Sequence, residues 1–403
     1  MDTSLLKKTA IQCLALMTAV ITFSYSLKQY QTITIQASGQ TTHDIENNIN
    51  FDDPWNQLNI NSEMLNNNLS ETQPLEIRYE KNVKEKLGYN YLVIKKPEGK
   101  NLSLKFDDLY INQSIRISIS GVLSNQITDD MITRVRGSQN YVGRPTKPSK
   151  KDVDLKAKNG DFCSAINITS AQDHNNLSYT DNILLKLDKV YAYIVYEDKD
   201  SYYIDLRKPS EVYDKILVID AGHGGKDVGA SSKNEQYYEK NINLAVIKEL
   251  KELLDKEKNI KIYYTRTDDS TVYLRPRSTL ANNVDCDYFI SVHCNANEQT
   301  YPNGTEVLYT DHKYKGVKNM DLANLFSNTI ANKIPLKKRG IVKKHEDDVY
   351  IMDKAQVPMI LIEIGYLTNA DDMNYIAKQS NRKEIAKGIY DGIIKAYKQL
   401  PVK

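Results

Sequence analysis

Three continuous apolar runs in the C-terminal half constrain the fold of this 403-residue chain more than any other feature. Residues 216–220 (ILVID), 288–292 (YFISV) and 359–364 (MILIEI) lack the polar alternation of a strand with one wet face. Such runs belong to strands buried on both sides, and so to a sheet with helices packed against both faces. Between them the period changes. Ile242, Val246, Leu250, Leu253 and Leu254 recur at helical spacing, and further helices are expected over about 321–332 and 383–397. Shorter strand-like runs stand at 260–264 and 306–309. Strands alternating with helices indicate an α/β domain over 211–403, with a mostly parallel central sheet flanked by helices.

The preceding residues have a different texture. Across 75–210, short alternating or β-branched runs appear at 91–94, 102–106, 114–120, 182–187, 190–196 and 202–206, separated by Gly, Asn, Asp and Pro clusters. This is the pattern of a smaller all-β domain. Residues 29–74 are rich in Asn, Thr, Gln, Ser and Asp without apolar period, which reads as a polar flexible tether. Residues 1–28 hold Lys7 and Lys8 ahead of a mainly apolar stretch from Thr9 to Leu27. That order suits a signal peptide or a membrane anchor, so export is expected, and a membrane contact if the segment is uncleaved.

Composition removes some classes of function. The 54 basic and 52 acidic residues nearly cancel, leaving +2, a balance that gives no support to a large electrostatic footprint for nucleic acid. The four cysteines, Cys13, Cys163, Cys286 and Cys294, show no CxxC spacing, which argues against a disulfide framework or a zinc knuckle. Cys294 directly follows a histidine; it is read as a small, half-buried residue at a strand end rather than a thiolate ligand or nucleophile. His174 and His345 lie in polar segments and are read as solvated.

The residues that carry chemistry sit at the ends of the most apolar strands. His223 follows the first in DAGHGG, His293 ends the second in SVHCNA, and Glu363 lies within the last in LIEIGY. Open α/β sheets place their sites at the carboxyl ends of strands, and His, His and Glu converging there suit a cation. The glycine-rich 220–230 segment lacks both the GKS/GKT ending and the GxGxxG spacing of phosphate loops. A third ligand from the first loop could be Asp227, Glu235 or Glu239. Of these, Glu239 borders the helix and is held most rigidly, Asp227 suits a turn, and Glu235 suits solvent. Asp220 is expected to orient a ligand imidazole from behind.

At the level of whole motifs the region Ile216 to Leu400 resembles the zinc-dependent N-acetylmuramoyl-L-alanine amidases. The resemblance runs in order through 220–230 (DAGHGGKDVGA), 239–245 (EKNINLA), 265–268 (TRTD), 274–277 (LRPR) and 281–282 (AN). It continues through 289–296 (FISVHCNA), 304–306 (GTE), 339–340 (RG) and 358–369 (PMILIEIGYLTN). Ala221 stands where the family usually has Pro, and Cys294 where it has a small residue. The resemblance implies Zn²⁺ bound by His223, Glu239 and His293, with Glu363 as catalytic carboxylate and peptidoglycan as substrate. It also implies a bacterial envelope location, either anchored outside the cytoplasmic membrane or secreted to the wall. Some relatives carry an inserted helix that plugs the site, and the connection from Glu306 to Arg339 is too short for one. Arg339 is left with two readings, a cation for the oxyanion or a peptide carboxylate, or a structural ion pair at a strand start. More weakly, the β region resembles wall-binding or targeting domains.

Overall fold

The computed structural model describes residues 76–123, 126–142, 160–172, 178–400 and 402. The expected signal or anchor, the tether and His174 lie outside the described residues. No described helix is long and apolar enough to cross a membrane.

The described residues between 77 and 207 form strands and short 3-10 turns. The strands are β1 (Ile77–Tyr79), β2 (Asn90–Lys95), β3 (Gly99–Leu109), β4 (Ser114–Val122), β5 (Ile132–Arg136), β6 (Gln139–Val142), β7 (Cys163–Gln172), β8 (Tyr179–Leu187), β9 (Ala192–Glu197) and β10 (Ser201–Arg207). One sheet has the order β1-β9-β10-β2-β5-β6, the other β3-β4-β8-β7. Period-2 alternation turns Ile115, Ile117 and Ile119 of β4 inward, where they meet Leu92 and Ile94 of β2 and Ile204 of β10 in one apolar cluster. All six apolar runs fall on or overlap strands. Strands β1, β5, β6 and β7 lie outside those runs, because their residues are largely small or polar.

The second half runs β11 (Ile216–Ala221), α1 (Glu239–Leu254), β12 (Lys261–Tyr264), α2 (Leu274–Asn283), β13 (Tyr288–Asn295) and β14 (Thr305–Thr310). A small hairpin, β15 (Lys313–Tyr314) and β16 (Val317–Lys318), precedes α3 (Asn319–Ala331). The chain then forms β17 (Lys338–Lys344), α4 (Tyr350–Lys354), β18 (Met359–Tyr366), α5 (Ala370–Ile376) and α6 (Gln379–Gln399). The central sheet has the order β12-β11-β13-β18-β14-β17. Its faces are covered differently. Apolar residues of α1, α3, α5 and α6 pack against one face, and those of α2 and α4 against the other.

The sheet is mixed rather than uniformly parallel, because β14 runs antiparallel to β18. Chain length explains this. Only residues 296–304 separate β13 from β14, and a parallel return needs a crossover of roughly a dozen residues or more. β14 must therefore start at the end of the sheet where β13 finishes. That places Glu306 opposite Glu363 in register, while His293 faces Glu363 from the other side. The helix within the 306–339 connection, α3, buries Leu322, Ala323, Phe326 and Ile330 in the face away from these side chains.

The strand-rich region grips the outer edge of this sheet. Tyr110 and Ile111 of a 3-10 turn, with Val190, join the apolar cluster that contains Ile216, Val218 and Tyr263. β12 is an edge strand, so its outward peptide groups need partners. The Tyr110 hydroxyl supplies them, donating to Tyr264 O at 2.9 Å and accepting from Tyr264 N at 3.1 Å. Its ring meets Tyr263 edge-on, with centroids 5.0 Å apart.

The turn after β11 is held by buried cations. His223, Gly224 and Gly225 all have positive φ, at 60°, 135° and 58°, so the carbonyls around them leave the sheet ladder and need other donors. Arg277 donates to Ala221 O and His223 O, each at 2.8 Å, and Arg266 donates to Ala221 O at 2.9 Å and Gly222 O at 2.8 Å. Asp220 neutralises Arg277 at 2.5 Å and accepts from Thr265 and Ser291 hydroxyls, also at 2.5 Å. Asp220 therefore braces the loop and does not orient an imidazole, which corrects the expectation from sequence. Its carboxylate points back into the sheet toward β13 and the arginine, and the acceptor beside His223 is Asp227.

Two outcomes follow for stability. Tyr110→Phe strands the Tyr264 peptide groups and is expected to cost about 1–3 kcal/mol in reversible denaturation of the full chain. An unchanged midpoint would mean that water replaces the hydroxyl. Arg277→Met leaves Asp220 as an uncompensated buried charge, with an expected loss of about 3–5 kcal/mol. A loss below about 1 kcal/mol would show that the loop does not depend on this arginine.

Candidate metal centre

His223, Glu239 and His293 converge, each offering one ligand atom, with these atoms within 4.8 Å of one another. Three different elements deliver them. His223 lies in the turn after β11, Glu239 is the first residue of α1, and His293 lies near the end of β13. The imidazoles stand 5.0 Å apart and nearly perpendicular, at 77°. Glu239 lies between them, with Oε2 3.1 Å from His223 Nε2 and Oε1 2.9 Å from His293 Nδ1.

Backbone groups fix Glu239 as firmly as the histidines do. Its Oε2 accepts from Ala230 N at 2.9 Å and its Oε1 from Cys294 N at 3.1 Å. Asn243, one turn further along α1, donates to Oε1 at 3.3 Å. The first N–H groups of the helix are satisfied by the loop, Glu239 N by Ala230 O and Lys240 N by Val228 O. The helix N-terminus itself favours an anion there. Space is tight. A Cβ on Gly222 would lie 2.2 Å from His293 Cε1, and one on Gly229 would lie 2.6 Å from Glu239 Oε2.

The electrostatics of the cluster call for a cation. Burial works against charge on Glu239, yet the two histidines hold its carboxyl well below the usual range. Burial likewise opposes charge on His223, but hydrogen bonds donated to the Asp227 and Glu239 carboxylates push it up to about 10. Two buried polar atoms at this site have no partner, His293 Nε2 and Glu363 Oε2. Orphaned buried donors and acceptors are rare and point to an absent ligand. The imidazole and carboxylate set fits a divalent ion, and proton and metal would compete for it.

Glu363 faces this cluster from β18. Burial first, and then repulsion from Glu239 and Glu306, pushes its carboxyl up to about 8. Glu306 was not singled out by its sequence position, although a carboxylate opening the buried strand at 306–309 was a signal. It is buried, accepts from the Tyr366 hydroxyl at 3.0 Å, and forms an ion pair with Arg339. Of the two readings of Arg339, the ion pair at a strand start is the one observed, with the guanidinium also 5.4 Å from the Tyr366 ring centroid.

Of the other candidates for a third ligand, Asp227 holds His223 Nδ1 at 2.8 Å and its own loop through Gly229 N at 3.1 Å. Glu235 is exposed in a turn with φ of 53° and is not part of the cluster. Cys294 is buried beneath Glu239, its Sγ 3.5 Å from Asn243 Oδ1, and burial pushes its thiol well up, which keeps it neutral. His345 stands in an exposed turn after β17.

Residues 217–395 match the sequence profile of the N-acetylmuramoyl-L-alanine amidase family. YqiI, an uncharacterized protein of Bacillus subtilis, is 32% identical over 185 residues, covering 46% of this chain and 86% of its own length. The probable cell wall amidase LytH of Staphylococcus epidermidis is 34% identical over 180 residues, which is 44% of this chain and 57% of LytH. The chain thus spans little more than half the length of LytH. The crystal structure of an N-acetylmuramoyl-L-alanine amidase from Clostridium difficile 630 shares 33% identity, covering 46% of this chain and 97% of that one, with a TM-score of 0.43. Through its C-terminal α/β region, the chain belongs to the N-acetylmuramoyl-L-alanine amidase family.

Proposed function

We propose that this chain hydrolyses the amide bond between the lactyl group of muramic acid and L-alanine in peptidoglycan. His223, Glu239 and His293 would hold a zinc ion, and Glu363 would serve as general base and then general acid. The observation that carries the reading is Glu363. Its Oε2 is buried without a partner beside the three converging donors, and its carboxyl is pushed up to about 8. A carboxyl tuned toward neutrality is suited both to taking and to returning a proton. Membership of the amidase family and the likeness to cell wall amidases support the choice of substrate.

Zinc, when bound, lowers the pKa of a water and polarises a carbonyl. The remaining work falls to side chains. Glu363 accepts the proton of the attacking water at Oε2 and delivers it to the departing alanine nitrogen. Asp227 holds His223 Nδ1 and thereby keeps Nε2 turned toward Glu239. Glu306 is kept beside Glu363 by Arg339 and Tyr366 and raises its proton affinity.

The same reading assigns residues 1–28 as signal or anchor, 29–74 as tether, 75–210 as a separate β domain and 211–403 as the catalytic domain. It places the protein in the bacterial envelope.

Three outcomes test the proposal. Digestion of peptidoglycan by the full chain should expose new alanine amino termini, and a chelator should abolish this. Release of free amino acids or of acetate instead would indicate a peptidase or a deacetylase. Glu363→Gln should lower kcat by about 10²–10⁴-fold while zinc stays bound; retained activity would remove Glu363 from the chemistry. Asp227→Asn should weaken zinc binding by about 10–100-fold in chelator competition, and unchanged affinity would show that His223 needs no such support.

A further inference from the structure

The strand-rich region carries a cavity of about 310 Å³ that amide hydrolysis does not use. It lies at one end of the six-stranded sheet, where Leu206 of β10, Asn90 of β2 and Arg136 of β5 stand in one row across three strands. Lys189 and Tyr191 line it on the way into β9, and Arg207 and Lys208 on the way out of β10.

Its lining is cationic. Arg136 is 3.6 Å from Asp188, and Arg207 is paired with Asp205 at 2.7 Å. Lys189 holds its ammonium 5.4 Å from the centroid of the Tyr191 ring, beside Asp188, and Lys208 forms no ion pair among the described residues. Glu211 is the one acid in the lining, and its Oε2 accepts the backbone N–H of Lys208 at 3.2 Å. Four cations therefore face three carboxylates, which leaves one positive charge in excess, and Lys208 and Lys189 are the two cations held by no ion pair as close as that of Arg207.

The cavity also offers groups that recognise more than charge. Asn90 Oδ1 is buried without a hydrogen-bond partner, so it is an acceptor that lacks a donor. Tyr89, at the rim, is 67% exposed. Its ring lies against Gly137, where φ is +58° and a Cβ would come within 2.7 Å of the ring. The Tyr191 hydroxyl is taken up by Asp188 at 2.8 Å, so this residue presents ring rather than hydroxyl.

We propose that this cavity binds an anionic, hydroxyl-bearing chain, a sugar or polyol that carries phosphate or carboxylate groups. Lys189 and Lys208 meet the anion, Asn90 Oδ1 accepts from a ligand hydroxyl, and Tyr89 provides a flat face for a ring or carbon chain. Val190, between two lining residues, joins the apolar cluster that holds Ile216 and Val218 of β11. A chain held here is thus fixed relative to the catalytic sheet, so binding would keep the enzyme on an anionic polymer while it cuts.

The test is calorimetric titration of the full-length Glu363→Gln protein, in which amide cleavage cannot consume a ligand. The probes are oligo(glycerol phosphate), peptide-free glycan strands bearing muramic carboxylates, and a neutral N-acetylglucosamine oligomer. One of the two anionic probes is expected to bind, which identifies the source of the anion, and the neutral oligomer is not. The Lys189→Ala/Lys208→Ala double variant should weaken binding by about tenfold or more, and added salt should weaken it in the parent. Tyr89→Ala, at an exposed position, should weaken binding without loss of fold. No binding of either anionic probe, equal binding of the neutral oligomer, or parent-like affinity in the double variant would overturn the proposal. These readouts are independent of hydrolysis, so they stand apart from the outcome for the amidase reaction.

Discussion

The buried pair of Arg277 and Asp220 is the interaction on which the rest of the site depends. An apolar strand has to end in a loop of left-handed residues if His223 is to turn back over the sheet, and that loop exposes carbonyls with no ladder to join. Arg277 and Arg266 take up those carbonyls from beneath, and Asp220 compensates the charge of Arg277. With the loop fixed, Val228 and Ala230 present their carbonyls to the N-terminus of α1, and Glu239 is set between the imidazoles. The chain of support runs from buried arginine to loop, from loop to helix, and from helix to the cluster.

Much of this was legible in the sequence. Continuous apolar runs located β11, β13 and β18, and helical spacing located α1, α3 and α6 to within a few residues. The polar residues that end or interrupt those runs, His223, His293 and Glu363, are those the structure brings together with Glu239. A glutamate at the first position of a helix is conspicuous because the position is rigid; the residues alone left Asp227 and Glu235 open beside it.

What escaped sequence reasoning has a common cause: it depends on which groups lie across the fold. Asp220 and Asp227 flank the same histidine, and only the direction of the strand decides that one faces the arginine and the other the imidazole. The reversal of β14 follows from a nine-residue connection, yet its consequence, Glu306 beside Glu363, needs the strand order. Helix α2 was missed because Pro276 interrupts its pattern, although a first-turn proline is tolerated. Tyr110 caps an edge strand more than 150 residues away in sequence, |i−j| being 154, a pairing with no local signature.

The central claim is that His223, Glu239 and His293 together hold one zinc ion next to Glu363. Anomalous diffraction from crystals of the full chain, recorded on both sides of the zinc absorption edge, tests it most directly. A single peak among these three side chains, present above the edge and absent below it, is the expected result. Active, unchelated enzyme with no peak there, or with its only peak elsewhere, would contradict the assignment of the site.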